Sequence, residues 1–150
     1  MYQMVHHRDM DYELTVDVKA PAERVWEQFV DVERWPQMTK SISDVRLLQS
    51  GPLQVGSQAI VKQPRLPRAR WQVTELDPGR SFTWQTSAGG LTTAGSHAVE
   101  GNGSESTVVL GLHQHGPLAW LAAVVYGRRS RRFLSMEIEG FRSAAESGSK

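Results

Sequence analysis

The chain has 150 residues, 17 basic and 16 acidic side chains, a formal net charge of +1 and no cysteine. That profile excludes a disulfide-stapled scaffold and a thiolate metal centre, and it lacks the basic excess of most nucleic-acid-binding domains, so no nucleic-acid partner is expected. It fits one ordinary domain over 1–150, long enough to bury a sizeable core; the first 16 residues lack a signal peptide's apolar core, so the expected location is cytoplasmic.

In "MDYELTVDV" (10–18), Met10, Tyr12, Leu14, Val16 and Val18 alternate with Asp11, Glu13, Thr15 and Asp17, the period-two pattern of a half-buried strand. In the segment that follows, Pro21 suits a first helical position, and Ala22, Val25, Trp26, Phe29 and Val30 recur at helical spacing. Pro36 predicts a break after Trp35, hence two short helices rather than one long one. Turn signals at Gly51-Pro52, Asp77-Pro78-Gly79, Gly89-Gly90 and Gly101-Asn102-Gly103 then cut the text into strands at 43–49, 56–63, 69–77, 81–88, 91–100 and 105–115. Connections this short permit antiparallel hairpins but no parallel crossovers. Pro117 opens a helix to about Ala145, roughly 43 Å at 1.5 Å per residue.

One sheet face must be covered, and only the last helix is long enough to do it. On a helical wheel Trp120, Ala123, Gly127, Leu134, Ile138 and Phe141 form the side expected to face the sheet, with Tyr126, Ser130, Phe133 and Glu137 at its edge. Small residues at Ala123, Gly127 and Ser130 would widen a space between helix and sheet.

Four stretches, "VKAPAERVWEQFVDVERWPQM", "WQVTELDPGRSFTW", "TAGSHAVEGNGSESTVV" and "FLSMEIEGFRSAAE", resemble the START-like (SRPBCC) superfamily, and within it the bacterial polyketide cyclase/dehydrase-like proteins, over nearly the whole chain. The resemblance implies an α+β helix-grip fold: a seven-stranded antiparallel sheet curved around a long C-terminal helix, two short helices after the first strand, and a hydrophobic cavity between sheet and helix. It implies binding of lipids, sterols, quinones or polyketides, with aromatisation or cyclisation in a minority, and it carries no universal catalytic residue. Fold alone does not fix function.

The candidate ligand-binding residues are Trp71, Trp84, His97, Tyr126, Arg131 and Leu134. The aromatic side chains serve equally as core or as pocket wall, and "WQVTEL" can be read with either strand face inward. Arg131 sits near the expected inner side of the wheel, where a guanidinium would need a carboxylate such as Glu137 or an acidic or carbonyl group of a ligand. His97 alternates with Gly95 and Val99 and reads as a lone polar pocket group or a hydrogen-bonded core histidine. His113 and His115 share a strand face and a neighbouring strand could bring His97 as a third metal ligand, but the spacing without a clear carboxylate is weak support for a metal site, and none is expected. His6 and His7 are assigned no role. Nucleophile-elbow, phosphate-loop and dinucleotide motifs are absent, and no cofactor is expected.

The nine residues "LAWLAAVVY" (118–126) are apolar on every side of a helix and run straight into "GRRSRR". They are too few to span a bilayer, so no stable membrane insertion is expected. Leu118, Leu121 and Val125 point away from the sheet and need a cover: a second subunit, a lid made by the helix pair and the loop at 64–68, or transient contact with a membrane surface. Together these features point to binding of a small hydrophobic molecule: a lipid, quinone, isoprenoid or aromatic polyketide. The alternatives are an aromatase/cyclase-type enzyme using His97, Tyr126, Arg131 or Glu137, and a co-chaperone-like interaction module.

Overall fold

Alternation and tight turns build one antiparallel sheet. The computed structural model describes residues 10–147, apart from the side chains of Met10, Asn102 and Ala123; His6 and His7 lie outside the described residues. The elements in chain order are β1 (Met10–Val18), α1 (Ala22–Val30), a 3-10 turn (Val32–Arg34), α2 (Trp35–Met38), β2 (Asp44–Leu47), β3 (Gln58–Lys62), β4 (Ala69–Asp77), β5 (Ser81–Ala88), β6 (Leu91–Asn102), β7 (Glu105–His115) and α3 (Ala119–Glu146). The seven strands are ordered β1-β7-β6-β5-β4-β3-β2, and the first strand closes on the last with Met10 opposite Gln114 and Val18 opposite Ser106. This is the helix-grip arrangement, with α3 packed on the sheet face that carries the core.

The even residues of β1, β5 and β7 and the odd residues of β6 face inward, as their pairing requires: Leu14 lies opposite Leu110, Leu110 opposite His97, and His97 opposite Phe82. Strand β4 obeys neither parity throughout. Its register shifts between Val73 and Glu75, so Trp71 and Val73 point inward before the bulge and Leu76 after it. One extra residue flips every later side chain, so each reading of "WQVTEL" is correct for half of the strand.

The helix pair forms, but it breaks elsewhere than the sequence suggests. Asp31, at φ −88° and ψ 63°, ends α1, and Pro36 sits inside the first turn of α2. A proline there loses no helical hydrogen bond, so it starts the second helix instead of ending the first. Val25, Phe29, Val32 and Trp35 are fully buried and dock the pair on the core.

The pair packs against the C-terminal half of α3. Arg24 Nη1 donates to Ala145 O at 3.2 Å, and a Cβ at Gly140 would lie 2.5 Å from Met38 O and 3.1 Å from Met38 C. Backbone cannot yield as a flexible side chain can, so Gly140→Ala is expected to destabilise by roughly 1–3 kcal/mol, seen as a lower urea midpoint. A change within about 0.5 kcal/mol would show that the two helices are not held this closely. Because the pair sits at this end of α3, it forms no lid over residues 118–126. Among the described residues, no helix is long and apolar enough to cross a membrane.

Candidate functional site

Between the inner sheet face and the middle of α3 lies a cavity of about 430 Å³. Small residues leave it open: Gly95 on β6 contributes no side chain, and Ala122 and Ser130 are the helix's contributions where larger residues would fill the gap. A volume in the range of ligand pockets, walled mainly by apolar groups with a few polar ones, is the pattern of a small-molecule site.

Trp71, Trp84, His97, Tyr126 and Leu134 all line this cavity. Arg131 does not. It is exposed, its guanidinium carbon lies 5.9 Å from the ring centroid of Tyr12, and it belongs to an outer groove with Lys40 and Arg128. Trp120, also expected inside, is 55% exposed. The cause is the course of the buried stripe. Ala122, Tyr126, Ser130 and Leu134 line the cavity and Ile138 is buried beyond them, a row of i, i+4 positions. Such a row is inclined about 26° to the helix axis, whereas a wheel with one centre assumes a stripe parallel to it. Trp120 and Ile138 share a wheel angle but lie at opposite ends of the oblique stripe, one outside and one buried. Gly127 is off the row; a Cβ there would meet only Arg131, at 3.4 Å. The side chain of Ala123 lies outside the described residues.

In place of Arg131, the cation on the cavity wall is Arg129, 5.9 Å from the ring of Tyr126. The wall also takes Gln63, Leu66 and Pro67 from the β3–β4 loop, which no periodic pattern marks in the sequence.

Two titratable groups on the wall depart from their ordinary behaviour. His97 is buried and stacked on Phe82, with ring centroids 4.4 Å apart and planes 11° from parallel. Burial lowers its pKa to about 4, against a smaller opposing effect of the hydrogen bond to Phe82 O. Neutral at pH 7, the ring must donate from Nδ1 to that carbonyl, 3.3 Å away, which leaves Nε2 as an acceptor. No fully buried side-chain nitrogen or oxygen among the described residues lacks a partner, and only Nδ1 is engaged by the protein, so Nε2 keeps an open surface. Glu137, one helical turn beyond Phe133 and Leu134, takes no ion pair or hydrogen bond among the described residues, and desolvation raises its pKa to about 7. Near neutrality a large share of it is protonated and able to donate. Besides neutral polar side chains such as Gln63, Thr93 and Ser130, the cavity thus offers an acceptor at His97, a donor at Glu137 and the Arg129 guanidinium against aromatic and aliphatic walls.

The other histidines lie elsewhere. His113 is opposite Ala94 and Asp11, on the sheet face away from His97, where its Nδ1 is 2.9 Å from Asp11 Oδ1 and its Nε2 3.3 Å from Ser96 Oγ. Gly111 leaves the room for that link, since a Cβ there would collide with both Ser96 Oγ and His113 Nε2. His97 and His113 therefore cannot converge on one ion.

Known structures repeat this architecture. The chain superposes on truncated norcoclaurine synthase from Thalictrum flavum with a TM-score of 0.75 at 12% identity, covering 99% of this chain and 100% of that one. A hypothetical protein from Helicobacter pylori gives 0.72 at 14% identity, covering 95% and 98%. Ginseng major latex-like protein 151 from Panax ginseng gives 0.69 at 16% identity, covering 91% and 97%. A search of curated proteins finds no match. Identities this low speak for the fold alone. Residues 10–146 match the model of the polyketide cyclase / dehydrase and lipid transport family, and the chain belongs to that family, within the START-like (SRPBCC) superfamily.

Proposed function

We propose that this protein binds a small, largely hydrophobic molecule carrying a hydroxyl or carbonyl group in the cavity between β-sheet and α3. The observation that carries this reading is the cavity itself: about 430 Å³ walled by Trp71, Trp84, Phe133 and Leu134, with His97 and Glu137 as placed polar groups. A ligand hydroxyl would donate to His97 Nε2 and a carbonyl would accept from protonated Glu137, so a quinol, hydroxylated isoprenoid or aromatic polyketide fits better than a plain hydrocarbon. The family's description, which includes lipid transport, agrees with such cargo. A cavity of this size weakens the interaction-module alternative.

A cavity-filling variant tests the reading. A Cβ at Gly95 would meet Trp84 at 3.7 Å, an ordinary contact, and the backbone there is not left-handed. Gly95→Leu should therefore keep the fold while placing its branch in the ligand space. Titration with an apolar fluorophore such as 1-aminoanthracene is expected to show about ten-fold or greater loss of affinity, on the scale of two lost methylene contacts. Unchanged fluorophore binding in a variant with a native melting curve would place the ligand elsewhere.

The second reading, an aromatase/cyclase-type enzyme, is favoured by Glu137 alone: a carboxyl with a pKa of about 7 inside a ligand cavity is matched to general acid–base work. If it holds, Glu137→Gln abolishes turnover of a poly-ketone substrate while leaving its binding nearly intact. Equal loss of both would make Glu137 a binding group only.

A further inference from the structure

The start of α3 presents large apolar side chains that no described residue covers. Leu118, Trp120, Leu121, Val124, Val125 and Tyr126 are all more than 40% exposed, and Val124 reaches 76%. Four arginines, Arg128, Arg129, Arg131 and Arg132, follow on the next turns, and none has an ion-pair partner among the described residues. On the helix surface Leu121, Val124 and Val125 share a face with Arg128 and Arg132, so this face is apolar at its tip and basic one turn further on.

The surroundings share the sign of that charge. The β3–β4 loop at 63–68, the β5–β6 hairpin at 86–93 and residues 116–136 hold six arginines and no aspartate or glutamate, in a chain whose net charge is only +1. All three segments contribute to the cavity wall, and Tyr126 belongs both to the wall and to the exposed patch. The apolar tip is thus continuous with the cavity and bordered by the four helix arginines, which have no ion-pair partner among the described residues; of the loop arginines, Arg68 pairs with Asp44 at 3.3 Å.

We propose that this end of α3 docks on anionic phospholipid surfaces, with residues 118–125 entering the headgroup–acyl boundary and Arg128 to Arg132 meeting the phosphates. These exposed apolar side chains stand at the N-cap and on the first two turns of α3, and interfacial helices bury such an apolar face about 5–10 Å into a bilayer without spanning it. Trp120 and Tyr126 suit this depth, because their amphipathic rings favour the membrane interface. A second copy of the chain fits less well: a twofold contact would bring the arginine cluster against itself, and Glu139, the one carboxylate among the described residues of its groove, is already engaged by Arg142. The docked orientation turns the cavity's Tyr126 side toward the lipid. The docking itself depends on no ligand, so its failure would leave the cavity reading standing.

Flotation of the full chain with vesicles of phosphatidylcholine alone, and of phosphatidylcholine mixed with phosphatidylglycerol, tests this. Wild type is expected to float with the anionic vesicles at low salt and to be released by high salt. Removing charge in the double variant Arg128→Gln, Arg132→Gln should weaken that binding about 25-fold, at about five-fold per basic side chain. Val124→Asp with Val125→Asp, at sites exposed enough to leave the melting temperature unchanged, should abolish it. Equal partition to both vesicles, or to neither, overturns the proposal. So does a concentration-dependent dimer that is lost in the Val124→Asp, Val125→Asp variant while wild type ignores vesicles, which would assign the face to a second copy.

Discussion

Trp35→Ala is expected to cost about 3–5 kcal/mol of folding stability, the range for removing a large aromatic side chain from a core. The ring is 1% exposed and stands where three layers meet. Its centroid lies 5.2 Å from Trp84 on β5, 5.1 Å from His97 on β6 and 5.2 Å from Phe141 on α3, and its Nε1–H donates to Gln28 O at 3.0 Å. Alanine would open a void that helix pair, sheet and α3 could not all close together, because each is anchored independently. Urea unfolding should show a lowered midpoint with little change in slope. Trp26→Ala is the control: that ring is only half-buried, 6.3 Å from Phe29, and it should cost clearly less. A Trp35→Ala loss below about 1 kcal/mol would mean that the cluster does not hold the layers together.

Stability against pH should follow His97 and Glu137 in opposite directions. The folded pKa of His97, about 4, lies below its ordinary 6.5, so the fold favours the neutral ring. Its contribution is complete above pH 6.5 and is lost as pH falls through about 4, amounting to about 3 kcal/mol. Glu137 is raised from 4.5 to about 7, so the fold favours the neutral acid. Its contribution is complete below pH 4.5 and is lost as pH rises through about 7; screening at its cavity-facing surface leaves about 2 kcal/mol. Between pH 4.5 and 6.5 the two slopes nearly cancel, and these groups should leave the wild type's stability almost flat there. Glu137→Gln should be more stable than wild type by about 2 kcal/mol at pH 8 and equal to it near pH 4, while His97→Phe should lose much of the acid-side decline. Denaturant titrations across pH check both, and profiles identical to wild type would place these side chains in water.

Most of the fold is legible in the sequence because local patterns and global packing agree. Strand β1 coincides with its alternating segment, and β4, β5 and β7 with the runs between turn signals. What the pattern could not supply is geometry beyond one element. The bulge at Val73/Glu75 shows only in the partner strand's register, and α1 ends at Asp31 through backbone angles that no residue type demands. The oblique course of the buried row on α3 depends on how the helix crosses the sheet. For that reason Tyr126 and Leu134 were identifiable as wall residues, whereas Arg131 and Trp120 point outward and Arg129 takes the place expected of Arg131.

The central claim is that the cavity holds a hydrophobic molecule, and the most direct test is mass spectrometry of small molecules extracted from the purified protein, wild type beside Gly95→Leu. A stoichiometric apolar compound bearing a hydroxyl or carbonyl, present in wild type and missing from the variant, is the predicted result. The same compounds at the same level in both proteins would contradict it.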